Sequence, residues 1–440
     1  VTPTPSPYWV VSADMGYGHQ RAVHPFEQRA YNGVLDAANI PGVTDAERKR
    51  WQRYLKLYEF LSRAKGLPLI GKQLFGLLDR MLHIPSAYPM RNLSRSTFQV
   101  DMLDKEIRRG LGSGVVTTIS SQWLPLLTSF YVPAIAADLA GYEPIYTIIC
   151  DADLNRVWVA KEPWESRINY FAPCGKAAQR LKQYGVPEER IFLTGFPLHE
   201  DLLGGRDLSV LRHDLGIRLR MLDPLGRFRA TMGASVERFL GEYAFGEPPA
   251  NRVLTVTYAV GGAGAQRELG ADLMRSFAPR LNEGTMRLVL VAGTRADVRD
   301  YFEEQRREIL SPDANVHVMH APSLDAYFRE FNAVIRETDI LWTKPSELSF
   351  YTGLGLPIIM APTIGSQEKF NRKWLREVGS GMRQENPNHA TEWMFDLMAN
   401  GRFADMAWLG FLRARKMGTY HIQDVIDQGT FTKSDNPLHR

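Results

Sequence analysis

Apolar and polar positions follow a pattern along the chain that runs once and then restarts. Tyr8–Ser12 is a short apolar run, and Asp14-Met15-Gly16-Tyr17-Gly18-His19 follows it. Arg252–Val260 is a second run, β-branched and interleaved with small residues, and Gly261-Gly262-Ala263-Gly264-Ala265-Gln266 follows it. Each reads as the strand, glycine turn and helix start of a parallel sheet. After the first turn come apolar runs at 114–119, 144–149, 167–171 and 190–194, with helical segments between them, as at 174–184. After the second come 286–292, 315–319, 339–343 and 356–361, each expected to follow a helix. This alternation predicts an α/β fold of parallel sheets covered by helices. The restart predicts two Rossmann-like domains, 1–250 and 251–425, with sheets facing an interdomain cleft. Residues 200–250 read as helices of an insertion ending in a Pro248-Pro249 linker, and 426–440 as a polar, frayed tail.

Composition narrows the class without naming a chemistry. A chain of 440 residues exceeds what one core usually organises, which supports two domains. Its 44% apolar and 23% charged residues are ordinary for a soluble globular protein. No run reaches the roughly 18 consecutive apolar residues of a membrane span. The best, 124–140, is broken by Pro125, Pro133 and Asp138. Cys150 and Cys174 are the only cysteines, so neither a disulfide framework nor a cysteine zinc site is expected. Residues 1–5 lack a secretory pattern, and a cytoplasmic location is expected. A net charge of +4 argues weakly for any anionic partner, and no nucleic-acid module is visible.

The glycine turn at 261–266 lacks the dinucleotide fingerprint, since Arg267 stands where the third small residue belongs. A nicotinamide oxidoreductase is disfavoured, and a Walker lysine is absent. Backbone N–H groups of such a turn can still face a phosphate. The richer signal is Asp339–Asn371. There Thr343-Lys344-Pro345-Ser346-Glu347 carries a strand into a helix start, with Ser346 as N-cap and Glu347 in the first turn. Gly353-Leu354-Gly355-Leu356-Pro357 and Gly365-Ser366-Gln367-Glu368-Lys369-Phe370-Asn371 follow.

These segments, with the 261–264 turn, resemble the C-terminal half of the GT-B glycosyltransferases. The branch is that of plant-type monogalactosyldiacylglycerol synthase and the lipid II-forming N-acetylglucosaminyltransferase. The resemblance implies a GT-B fold and a nucleotide-sugar donor, as co-substrate rather than cofactor, held by Gly261, Gly262, Gly264, Thr343, Lys344, Ser346, Glu347, Gln367 and Glu368. Gln367 and Glu368 would hydrogen-bond sugar hydroxyls, and Lys344 would neutralise the diphosphate. The family's ribose-binding glutamate falls on Phe350 here, so the ribose contact is expected to pass to Glu347, about one helical turn earlier. Metal-independent transfer with inversion is implied. A nucleotide-sugar 2-epimerase of the same fold and a non-catalytic binding protein remain as alternatives.

On the N-terminal side, Gly16-Tyr17-Gly18-His19 resembles the family's glycine-histidine turn. A histidine at a helix N-terminus keeps its neutral form, which suits a base near pH 7. His19 and Asp151 are the two candidate bases, with Gly16, Tyr17, Gly18 and Asp153 on the acceptor side and Asp14 placed to orient His19. The Asp151, Asp153 pair is the nearest approach to a metal motif, and no further carboxylate spacing supports one. Residues 46–83 are long, apolar and basic, broken by Gly66-Leu67-Pro68. They read either as interfacial helices meeting an anionic membrane or lipid acceptor, or as a helical hairpin packed on the first sheet.

Overall fold

The computed structural model describes residues 6–64, 84–86, 88–261, 264–363 and 366–440. They form two compact units. The first runs through Pro197 and adds Thr363–Asn371 and Arg415–Ser434, and the second holds Leu198–Pro362, Arg372–Ala414 and Asp435–Arg440.

The first unit is built on a six-stranded sheet of β1 (Tyr8–Ser12), β2 (Ala30–Asp36), β3 (Leu126–Thr128), β4 (Ile145–Ile148), β5 (Ile168–Phe171) and β6 (Ile191–Phe192). The order is β2-β1-β3-β4-β5-β6, and every pairing is parallel. The second unit repeats the plan with β7 (Leu254–Ala259), β8 (Met286–Gly293), β9 (Val316–His320), β10 (Ile340–Thr343), β11 (Ile358–Met360) and β12 (Gly381–Arg383). Its order is β12-β11-β10-β7-β8-β9, again all parallel. Strands β1, β3, β4, β7, β10 and β11 are buried along their whole length, as strands covered by helices on both faces must be.

Strand order fixes where a ligand can enter. From β1 the chain moves to β2 on one side, then returns to β3 on the other. From β7 it moves to β8 and β9, then returns to β10. The β1/β3 and β7/β10 junctions are therefore topological switch points, where connections leave in opposite directions and open a crevice at the strand C-termini.

The two expected α/β domains are present, with differences of detail. The β-branched run at 114–119 is a helix, Ser113–Ile119, rather than a strand. A buried carboxylate decides this. Glu47 accepts the N–H groups of Gly112 (2.9 Å) and Gly114 (2.8 Å) and the Ser113 hydroxyl (2.9 Å), which caps the helix start. Thr117 and Thr118 turn their hydroxyls back to the carbonyls four residues earlier.

The division also falls at Pro197 rather than 250. Residues 198–250 are helical but belong to the second unit, because the buried Arg218 donates to the carbonyls of Thr338 (2.7 Å) and Leu354 (2.8 Å), and Leu215 packs against Gly355. At the other end, helix Gly418–Gln428 returns to the first unit, where Arg29 grips Asp427 and Gly418 lies too close to the Phe196 carbonyl for any side chain. The tail is less loose than expected, since Phe431 is buried against His421 with ring centroids 4.5 Å apart.

Of the basic 46–83 segment, Asp45–Ala64 is a helix whose first half is seated by Glu47 and the buried Trp51; residues 65–83 lie outside the described residues. Among the described residues no helix is long and apolar enough to cross a membrane.

Candidate functional site

At the β1/β3 switch point three neighbouring strands end together. Strand β1 delivers the His19 turn, β3 delivers Ser129 and Phe130, and β4 delivers Cys150 and Asp151. Gly16, at φ 105°, takes a backbone conformation that suits glycine and starts the helix Tyr17–Val23, with Tyr17, Gly18 and His19 in its first turn. His19 Nδ1 lies 2.7 Å from the Ser129 carbonyl oxygen. A carbonyl only accepts, so Nδ1 carries a proton; in the neutral ring the lone pair is then on Nε2. The ring is held by the edge of Phe130 at 5.3 Å and by Trp158, nearly parallel at 5.9 Å. Cys150 Sγ is 3.7 Å from Nδ1.

Asp151 follows Cys150, and its Oδ1 accepts from the Asn371 side-chain amide at 2.8 Å. Asn371 lies on the helix Ser366–Val378, whose first turn carries Gln367 and the buried Glu368. These residues are counted in the first unit through Thr363–Asn371.

The β7/β10 switch point brings together another set. The turn after β7 is closed by the Gly264 N–H donating to the Gly261 carbonyl at 2.8 Å, with Gly264 at φ 71°. Gly262 and Ala263 lie outside the described residues. Lys344, the first residue after β10, crosses to this turn. Its Nζ stands 3.2 Å from where a Cβ on Gly261 would be, and Cε is closer still. Only glycine leaves the lysine that path. Tyr258 OH donates to the Gln266 carbonyl at 2.6 Å, and Gln266 Nε2 donates to Pro362 at 2.9 Å, which ties the turn to the end of β11. Glu347 opens the 3₁₀ helix Glu347–Leu354.

Several expectations are corrected. Asp153, expected on the acceptor side, is buried in a two-bond ion pair with Arg180 (2.8 and 3.0 Å). Thr343 is buried, and its hydroxyl donates to the Ala259 carbonyl at 3.1 Å, joining β10 to β7. Ser346 occupies the cap position, but its side chain makes no capping bond. The Ser129 carbonyl, not Asp14, orients His19; Asp14 reaches Gln20 at 3.5 Å. Phe350 is buried against Trp374 at 4.9 Å, so the position that carries the ribose glutamate in the family is part of the core here. No pattern in the chain points to Ser129, to Trp158 or to the role of Asn371. Among the described residues, no cluster of three or more His, Cys, Asp or Glu could hold a metal ion. Burial pushes the Cys174 thiol up to about 11.

A domain of unknown function, DUF6938, matches residues 297–424. The chain is similar to the processive diacylglycerol beta-glucosyltransferase of Staphylococcus carnosus, at 23% identity over 256 residues, 58% of this chain and 53% of that protein. The match thus spans about half the length of this relative. Among solved structures it is similar to the kitacinnamycin glycosyltransferase, at 14% identity over 97% of this chain and 100% of the other, with TM-score 0.48. It is similar also to the S. aureus MnaA–UDP co-structure, at 11% identity over 96% of both chains, with TM-score 0.48. The glycosyltransferase likeness carried by the sequence motifs is thus met again in a curated relative.

Proposed function

We propose that the protein transfers a sugar from a nucleotide-sugar, taken as a UDP-sugar, to an acceptor hydroxyl, with inversion and without a metal. The observation that carries this reading is the 2.7 Å contact of His19 Nδ1 with the Ser129 carbonyl. With Nδ1–H given to that carbonyl, Nε2 of the neutral ring is the basic nitrogen. In the proposed step Nε2 takes the acceptor hydroxyl proton as that oxygen bonds to the sugar C1. The bond from C1 to the diphosphate oxygen breaks, and the nucleoside diphosphate leaves with the electron pair. The Nδ1 bond then becomes charge-assisted and stabilises the imidazolium. Lys344, against the Gly261 turn, neutralises the diphosphate; Glu347 takes the ribose; Gln367 and Glu368 take sugar hydroxyls. Asp151 is the second candidate base, after His19. The named activity of the curated relative supports a lipid hydroxyl as acceptor, and with it a peripheral place at a cytoplasmic membrane surface.

The test is product analysis with UDP-sugars, with and without a diacylglycerol acceptor, on the native protein and on His19→Ala. Transfer should need the acceptor, and His19→Ala should lower kcat by about 10²–10⁴-fold with UDP affinity kept. Unchanged turnover removes His19 from the mechanism. An epimer accumulating from donor alone replaces the transferase reading with an epimerase, and no binding of any nucleotide overturns both.

A further inference from the structure

We propose that Asn371 is a positioning residue that clamps the loop carrying Asp151 to the helix turn carrying Gln367 and Glu368. The proposal rests on the sugar-transfer reading for the roles of those three residues. The clamp itself is geometric. Asn371 is fully buried, and its amide is used at both ends. Nδ2 donates to Asp151 Oδ1 at 2.8 Å, and Oδ1 accepts the Ala152 N–H at 2.8 Å. These partners fix the amide's direction, since a carboxylate takes only the NH₂ end and an N–H only the oxygen.

The same helix carries the sugar-reading side chains. Gln367 is four residues before Asn371 and Glu368 three, so both lie about one turn away on its face. Asn371 is also the last residue of the short stretch Thr363–Asn371 that joins the first unit. Its amide therefore fixes two things together: which way the Asp151 carboxylate points, and where the first helical turn begins. A residue that only filled space there would need neither end of an amide. The titratable and charged groups on the elements that meet here are His19, Cys150, Asp153 with its Arg180, and, on the helix, Glu368, Lys369, Arg372, Lys373, Arg376 and Glu377.

Three variants of the full chain test this: Asn371→Leu, Asn371→Asp, and Asn371→Asp combined with Asp151→Asn. Asn371→Leu removes both bonds. It should lower kcat/KM for the UDP-sugar by about tenfold or more at every pH, with the affinity for UDP, which lacks the transferred sugar, unchanged. Asn371→Asp sets two carboxyls at hydrogen-bond distance. At low pH one keeps a proton and reproduces the amide's donor; as pH rises that proton is lost and the pair repels. The shared folded pKa is raised above its unfolded value, so the stability it contributes is present at about pH 5 and lost toward about pH 8. Both kcat/KM and melting temperature, relative to the native protein, should fall over that interval. The double exchange restores a carboxylate–amide pair with the charge moved, so melting temperature should recover while turnover does not.

A native-like pH profile and kcat/KM in Asn371→Leu and Asn371→Asp, with only stability reduced, overturns the positioning role. A melting difference for Asn371→Asp that does not grow with pH overturns the clamp. If the native protein transfers no sugar, the sugar-transfer reading fails and takes the positioning role with it. The melting series needs no activity, and it reports on the clamp separately.

Discussion

Gly261→Ala is expected to separate folding from donor binding. The residue closes β7, and its backbone lies under the Lys344 side chain. A Cβ there would overlap Lys344 Cε and come within 3.4 Å of Cδ and 3.2 Å of Nζ. The colliding group is the far end of a flexible chain, so the lysine can swing into solvent, at a folding cost below about 1 kcal/mol. Under the proposed function the displaced ammonium would no longer meet the diphosphate. A hydrogen bond to a charged group contributes about 1.5–3 kcal/mol, so UDP affinity should fall about ten- to hundredfold. Calorimetry with UDP and with uridine is the assay. Uridine carries no phosphate, so its affinity should be unchanged. Lys344→Met should reproduce the UDP loss, and the two changes together should cost little more than either alone, because they remove one interaction. If Gly261→Ala binds UDP as the native protein does, the lysine does not serve the phosphate. A loss of uridine binding to the same degree would refute the phosphate role equally. If the two losses add, the glycine acts through its own backbone instead.

Three further outcomes concern groups that hold the site. Asp153→Asn leaves the buried Arg180 charge without its carboxylate, with only the neutral Gln183 and Pro85 oxygens beside it, so urea unfolding should show a loss of about 3 kcal/mol. Any activity lost in this variant should return in a stabilising solvent if Asp153 serves only Arg180. Glu47→Gln turns an NH₂ group toward backbone N–H donors at the start of helix Ser113–Ile119 and should cost about 3 kcal/mol by the same assay. Cys174, buried and with its thiol raised to about 11, should resist iodoacetamide at about pH 8 and react fully once unfolded, as read by intact mass. Rapid labelling of the native protein would contradict the packing around it.

The long buried strands were legible because β-branched and apolar runs of six to eight residues, such as β7 and β8, have few other uses. Strands β3 and β12, three residues each, are too short to set a period. Strand β2 contains Asn32 and Gly33 at positive φ, which reads locally as a turn. The 114–119 run failed for another reason. Its propensity is for strand, and the carboxylate that makes it a helix lies 67 residues before Gly114, on Glu47. The site divides in the same way. His19 and Lys344 can be singled out in the sequence because each side chain has its own chemistry at the end of a strand. Ser129 acts through a carbonyl that any residue would supply, so no sequence signal exists for it. Asn371 needed its partner, Asp151, 220 residues away.

The two switch points share one geometric device, which under the proposed function would serve two kinds of chemistry. In each, a nitrogen-bearing side chain from one side of the switch lies against backbone from the other: His19 against Ser129 across β1 and β3, Lys344 against Gly261 across β10 and β7. Strand order makes this arrangement available, since the connections diverge there and leave the strand ends uncovered. The nature of the nitrogen then divides the work. An imidazole titrates near neutral pH and, with Nδ1–H held, offers one defined basic atom. An ammonium carries charge and has no lone pair, so it can balance phosphate but cannot accept a proton. Exchanging the two side chains, His19→Lys with Lys344→His, should therefore abolish transfer even if each new side chain fits. Transfer surviving the exchange would show that position, rather than proton chemistry, distinguishes the two crevices.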